Sequence, residues 1–161
     1  MNNMDCEIIQ EKVNGFCESI DYVENILINN HHLDVKIKFP DNILNLIISG
    51  LENSSVRNCL IMEILDRNRS SYKLLKEFIN VSPNVSETVM SNALCLYILA
   101  MIRVDSMFTF YDDVAQLSHQ KYPNNHFLKI LAKYSLTGDI DEILPNVYTG
   151  SQQIRKELGI K

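Results

Sequence analysis

The run Ala93-Leu-Cys-Leu-Tyr-Ile-Leu-Ala-Met-Ile102 carries no charge and, wound as a helix, is apolar on every side. Such a helix has to be enclosed, either by lipid or by other helices. The run is half the length of a membrane span, so it predicts a helix at the centre of a protein core. The rest of the chain must then supply the layer around it.

Material for that layer is present. The chain has 161 residues, 46% of them hydrophobic and 22% charged, which suits a single domain over 1–161 with a real core. Cys6, Ile9, Val13, Phe16, Ile20, Val23 and Leu27 recur at alternating spacings of three and four, a pattern that predicts an amphipathic helix over residues 1–30. Two uses are open to the seam of Ile9, Val13, Phe16, Ile20, Val23 and Leu27: pairing with a second copy in a homodimer, or packing onto the rest of the same domain. Gly15 and a cysteine at a seam position weaken a free-standing coil and favour the second use. Residues 1–30 also hold six acids against Lys12 alone, while residues 31–161 balance at fourteen of each sign, so the net charge of −5 belongs to this helix.

Asp34-Val35-Lys36-Ile37-Lys38-Phe39 alternates apolar with charged residues before Pro40. That predicts one short extended segment, near 34–39, in an otherwise helical chain. Three short helices follow over 41–81: Asp41 caps 42–49 with Gly50 as its stop, Ser54 or Ser55 caps 56–67, and Ser70 or Ser71 caps 72–80. The Val81-Ser82-Pro83-Asn84 turn closes this half, and Asn84 or Ser86 opens the helix that contains the apolar run. A further helix over 106–121 is stopped by Pro123, and Asn124 or Asn125 caps the next, which is striped by Phe127, Ile130, Leu131 and Tyr134. Gly138 supplies a left-handed stop, Asp139 and Glu142 form a capping box for a last short helix, and 146–161 is a polar tail. The fold class predicted is all-α, an irregular helical bundle or a short helical repeat.

The segment from Tyr122 through Pro123-Asn124-Asn125 and Thr137-Gly138-Asp139 to Leu144 resembles a tetratricopeptide repeat, with that family's turn between repeats and its Gly-Asp-x-x-Glu turn within a hairpin. Its spacing from Ala132 to Gly138 is one residue shorter than the family's pattern. The resemblance covers about residues 90–144 and implies helical hairpins stacked side by side, a scaffold that binds other proteins and does no chemistry. A small acidic chain with a seam helix, repeat-like hairpins and a polar tail is also similar to the secretion chaperones of bacterial pathogens.

Several kinds of chemistry lack their residues. Cys6, Cys17, Cys59 and Cys95 form no close pairs and lie in apolar helical patterns, which predicts buried thiols in a reducing compartment. The adjacent His31 and His32 diverge, and Asp112, Asp113, His119 and His126 are spread over helical turns and a proline break, so no metal site is expected. Five glycines in the whole chain leave no phosphate-binding loop, hence no cofactor. A mildly acidic chain without a basic stripe gives no footprint for nucleic acid. The Met1-Asn2-Asn3 start lacks the basic stretch of a signal peptide, and the expected location is cytoplasmic, off the membrane.

Recognition remains. Tyr97, Arg103, Phe108, Tyr111 and His119 are of the types that dominate binding energy at protein interfaces, and they predict a groove between helices 86–103 and 106–121. The expected function is a non-enzymatic protein-binding module, an adaptor or chaperone-like domain that takes a peptide or helix of a partner. The alternative is an inhibitor or immunity-type protein that meets a basic partner through Glu7, Glu11, Glu18 and Asp21.

Overall fold

The computed structural model describes residues 5–30, 36–81, 84–104 and 110–135. Seven helices carry them: α1 (Cys6–Asn30), α2 (Asp41–Leu51), α3 (Ser54–Asp66), α4 (Asn68–Val81), α5 (Glu87–Val104), α6 (Phe110–Lys121) and α7 (His126–Ser135). Among the described residues there is no strand, and the fold is all-α. No described helix is long and apolar enough to cross a membrane.

The apolar run sits where its composition demands. Helix α5 touches α2, α3, α4, α6 and α7, and Ala93, Cys95, Leu96, Ile98, Leu99 and Ala100 are fully buried. Helices α2, α3 and α4 also touch α1, so they form a layer between α1 and α5, with the α6–α7 pair completing the cover of α5. Helix α3 shows the cost in sequence of lying in that layer. Its buried residues Val56, Arg57, Leu60, Ile61, Ile64 and Leu65 make a double stripe, so one charged residue falls on the inward side.

The α1 seam is intramolecular. Phe16, Ile20 and Val23 are fully buried in the chain's own core, with Ile9, Val13 and Leu27 packed at its margin. The homodimer seam is thereby corrected, because the face it needs is already covered by α2, α3 and α4. Asp5 opens the helix, its Oδ1 accepting from the Glu7 amide at 2.7 Å.

The extended segment keeps its alternation over residues 36–39. Lys36 and Lys38 are exposed while Ile37 is buried and Phe39 half-buried. The segment lies along α1, where Tyr22 Oη donates to the Lys38 carbonyl at 3.1 Å. A helix side chain thus anchors the extended segment to the surface of α1; Asp34 and Val35 lie outside the described residues.

Helix starts depart from expectation in three places. Helix α2 begins at Asp41 behind Pro40, with no side-chain cap. Helix α3 is capped by Asn53, whose Oδ1 accepts from Ser55 and Val56 amides at 2.7 and 3.3 Å, rather than by Ser54 or Ser55. Ser70 and Ser71, read as caps, are buried within α4, which starts two residues earlier at Asn68. Gly50, read as the α2 stop, lies inside that helix. It is there because α1 comes close: a Cβ on Gly50 would stand 2.8 Å from Phe16 Cδ2 and 3.2 Å from Phe16 Cβ.

The expected starts of α5 and α7 are present. Ser86 Oγ accepts from the Val89 amide at 3.2 Å, and Asn125 Oδ1 from the Leu128 amide at 3.1 Å. The turn between α6 and α7 closes through the Asn125 amide on the Tyr122 carbonyl at 3.2 Å. Gly138, Asp139, the last short helix and the polar tail lie outside the described residues.

Candidate functional site

A cleft of about 500 Å³ opens where the N-terminal ends of α3, α5 and α7 meet the end of α6. Its walls come from Ser54, Arg57 and Asn58 of α3, from Glu87, Thr88, Ser91 and Asn92 of α5, and from the stretch Lys121 to Phe127. Helices α3, α5 and α7 present the positive ends of their peptide dipoles to this space, and α6 presents its negative end.

The floor is a connected polar network. Arg57 lies on the buried stripe of α3 with 6% of its surface exposed. Its Nε and Nη2 donate to Asn58 Oδ1 at 3.1 and 2.6 Å, and Nη1 donates to Asn92 Oδ1 at 3.0 Å. The guanidinium lies over the Phe127 ring, 4.8 Å from its centroid. Asn92, 1% exposed, passes the network on. Its Nδ2 donates to the Leu51 carbonyl at the end of α2, at 2.8 Å. Asn125 Nδ2 in turn donates to Asn92 Oδ1 at 3.3 Å and to Ser91 Oγ at 3.1 Å. Asn125 therefore does two jobs, capping α7 with its oxygen and joining α7 to α5 with its nitrogen.

Cys95 completes the floor from beneath. It is fully buried, and its thiol donates to Asn125 Oδ1 at 3.4 Å. Burial pushes that thiol up to about 12, against the pull of the nearby Arg57 charge. It is therefore a neutral thiol near neutral pH. Burial likewise pushes the Arg57 guanidinium below its usual range, with the neighbouring Cys95 sulfur acting the other way. The expectation of buried thiols holds for Cys95 alone: Cys6 and Cys59 are exposed and Cys17 is intermediate. Cys6 sits in the first turn of α1 and Cys59 on the outer side of α3, so periodic placement does not enclose either.

Of the residues expected at a groove between α5 and α6, Tyr97 and His119 do not line the cleft. Tyr97 faces α4, where its ring stacks on Tyr72 at 5.6 Å between centroids. Burial, with Tyr72 beside it, raises its phenol above the usual range. His119 is half-buried on α6, with Nδ1 buried and without a hydrogen-bond partner among the described residues. Arg103 and Tyr111 fall on α5 and α6, and their side chains, like the whole of Phe108, lie outside the described residues. Of the acidic face of α1, Glu7, Glu11 and Glu18 are exposed. Asp21 is engaged within the fold, together with Glu24, by Arg67, the residue between α3 and α4, at 2.6 and 3.0 Å.

Sequence reading missed Arg57, Asn58, Asn92 and Asn125 as a group because 33 to 35 residues separate the partners of each bond that joins helices within it. Two local signals point to them. Arg57 interrupts an apolar stripe, and Ser91-Asn92 adjoins the most apolar run in the chain. Compared with family models, curated proteins and solved structures, the chain finds no match.

Proposed function

We propose that the chain is a non-enzymatic protein-recognition module, adaptor or chaperone-like, that takes a segment of a partner protein into the cleft between α3, α5 and the α6–α7 turn. One observation carries this reading: the cleft is lined by carboxamides and hydroxyls, including Asn58, Asn92, Asn124 and Asn125, around a buried guanidinium. Asn92 and Asn125 are spent within the network and shape the floor, while the exposed Asn124 carboxamide, which both donates and accepts as a peptide group does, and the Ser54 and Thr88 hydroxyls are placed to pair with a segment's backbone. Tyr122, Pro123 and Phe127 add apolar surface for the segment's own side chains. The stretch that resembles a tetratricopeptide turn supplies this wall, which agrees with a binding role. The Cys95 thiol beneath the cleft is enclosed and neutral, which speaks against thiol catalysis there. Four unpaired thiols, two of them exposed, suit a reducing compartment such as the cytoplasm.

Selection of a displayed random-peptide library on the full chain tests the proposal. Selected peptides should lose at least about tenfold in affinity, or about 1.4 kcal/mol, on Thr88→Trp, which fills the cleft mouth from an exposed position. Circular dichroism should stay unchanged. Peptides that bind Thr88→Trp as well as the parent chain would remove the cleft from the function.

A further inference from the structure

Among the described residues, the charge on Arg57 has no counter-charge. Its partners there are formally neutral: two asparagine oxygens, the face of an aromatic ring and the Cys95 sulfur. Among the described residues no carboxylate pairs with it, whereas the half-exposed Arg67 has two. A guanidinium withdrawn from water to this degree is costly unless an anion joins it. The side chain nevertheless lines a cleft wide enough to admit one.

The other charges around the cleft limit what that anion is. Lys121 and Glu87 stand exposed at its rim and offset each other, and His126 is exposed at the start of α7. Among the described residues of the cleft Arg57 is thus the uncompensated charge, with three helix N-termini adding partial positive charge around it and the end of α6 a partial negative one. A phosphate monoester brings ~1.5 to 2 negative charges at neutral pH and would meet Glu87 with the excess. A carboxylate brings one and matches the planar fork of the guanidinium.

We propose that the cleft is a carboxylate-binding site in which Arg57 holds the anion and the polar rim of Ser54, Thr88 and Asn124 holds the groups on either side of it. This rests on the reading of the cleft as the recognition site, and it specifies that the segment bound there presents a carboxylate, from an aspartate or glutamate side chain or from a chain end.

The test is a titration of the full chain labelled with 15N-arginine, following the Nε–Hε signal of Arg57, which is assigned by its loss in Arg57→Met. Sodium acetate should move that signal saturably at millimolar concentration, the range open to so small a ligand. Sodium chloride at equal ionic strength should not. N-acetyl-Ala-Asp-Ala-amide and N-acetyl-Ala-Ala-Ala with a free carboxyl test the two sources of the carboxylate. At least one should saturate about tenfold below acetate, while N-acetyl-Ala-Ala-Ala-amide has no effect. Lys121→Gln, a change at an exposed rim position, should raise the acetate midpoint severalfold. A chloride response equal to that of acetate overturns the site, as does inorganic phosphate saturating well below acetate. Binding of the neutral peptide with no effect of acetate overturns the carboxylate and leaves segment recognition standing. Acetate saturation with no gain from either acidic peptide keeps the carboxylate site and removes the protein segment.

Discussion

Gly15 and Gly50 both lie where α1 meets α2, yet a methyl group at the two positions meets different neighbours. At Gly50 it would press on Phe16 Cδ2 at 2.8 Å and on Phe16 Cβ at 3.2 Å, atoms of a buried ring and its root. At Gly15 the one close atom is Leu46 Cδ2 at 2.9 Å, the free end of a half-exposed side chain that can turn away. Gly50→Ala should therefore destabilise by about 1–3 kcal/mol in urea unfolding. Gly15→Ala should be neutral or gain up to about 1 kcal/mol, because alanine is the better helix former. Equal losses at both sites would contradict the packing of Phe16 described above. Cys95 gives a second residue-scale prediction, through pH. The folded chain keeps the thiol protonated to about 12, whereas the ordinary value is 9.0. Between those limits the native state binds more protons than the unfolded state, so this contribution is whole below about pH 9 and is lost as pH rises. Stability should fall between pH 9 and 11, with Cys95 contributing a slope of up to about 1.4 kcal/mol per unit. In Cys95→Ala that part of the slope should vanish, which unfolding midpoints at pH 8, 9.5 and 11 will show.

At the level of elements, α5 and α7 were legible in the sequence because their signals are local. A charge-free run, a serine three residues before Val89 and a Pro-Asn-Asn turn each act within one or two helical turns. Helices α2, α3 and α4 were legible in number and less so at their starts. Serine serves equally as a cap and as a small residue for close packing, and only burial separates Ser70 and Ser71 from caps. The true cap of α3 makes a plain prediction: Asn53→Ala should cost about 1 kcal/mol, and Ser54→Ala or Ser55→Ala clearly less, in the same unfolding assay. The periodicity of α1 was plain, but a repeat of seven says only that a helix has an apolar face. What covers that face is decided by α2, α3 and α4. Ile20→Glu tests that assignment. It buries an unpaired carboxylate among core side chains, so circular dichroism should record unfolding or a loss of about 4 kcal/mol or more. A stable fold with a halved mass by light scattering would restore the intermolecular seam. The cleft was illegible at this level, since each of its polar residues looks ordinary within its own helix and acquires meaning only beside the others.

Across the whole molecule, protection should follow depth. Amides of residues 93–100 in α5, surrounded by five helices, should exchange with solvent only through global unfolding. Those in the first turn of α1, where Cys6, Glu7 and Ile8 are exposed, should exchange through fraying. Native-state hydrogen exchange will separate the two, and early exchange in α5 would show that it is not the centre of a cooperative unit. The Asn92 carboxamide gives this cooperativity a use. It bonds Leu51 at the end of α2 and Arg57 of α3, and it receives Asn125 from the start of α7, while itself belonging to α5. Four helices, brought from both halves of the chain, must be in place before the cleft has a floor. Whatever occupies the cleft is consequently linked to the melting of the entire chain: at a hundred times its dissociation constant a ligand adds about 2.7 kcal/mol to global stability. For a chain of this length that is a rise of roughly 5–10 °C in Tm, so simple melting curves can rank candidate ligands before any partner is known.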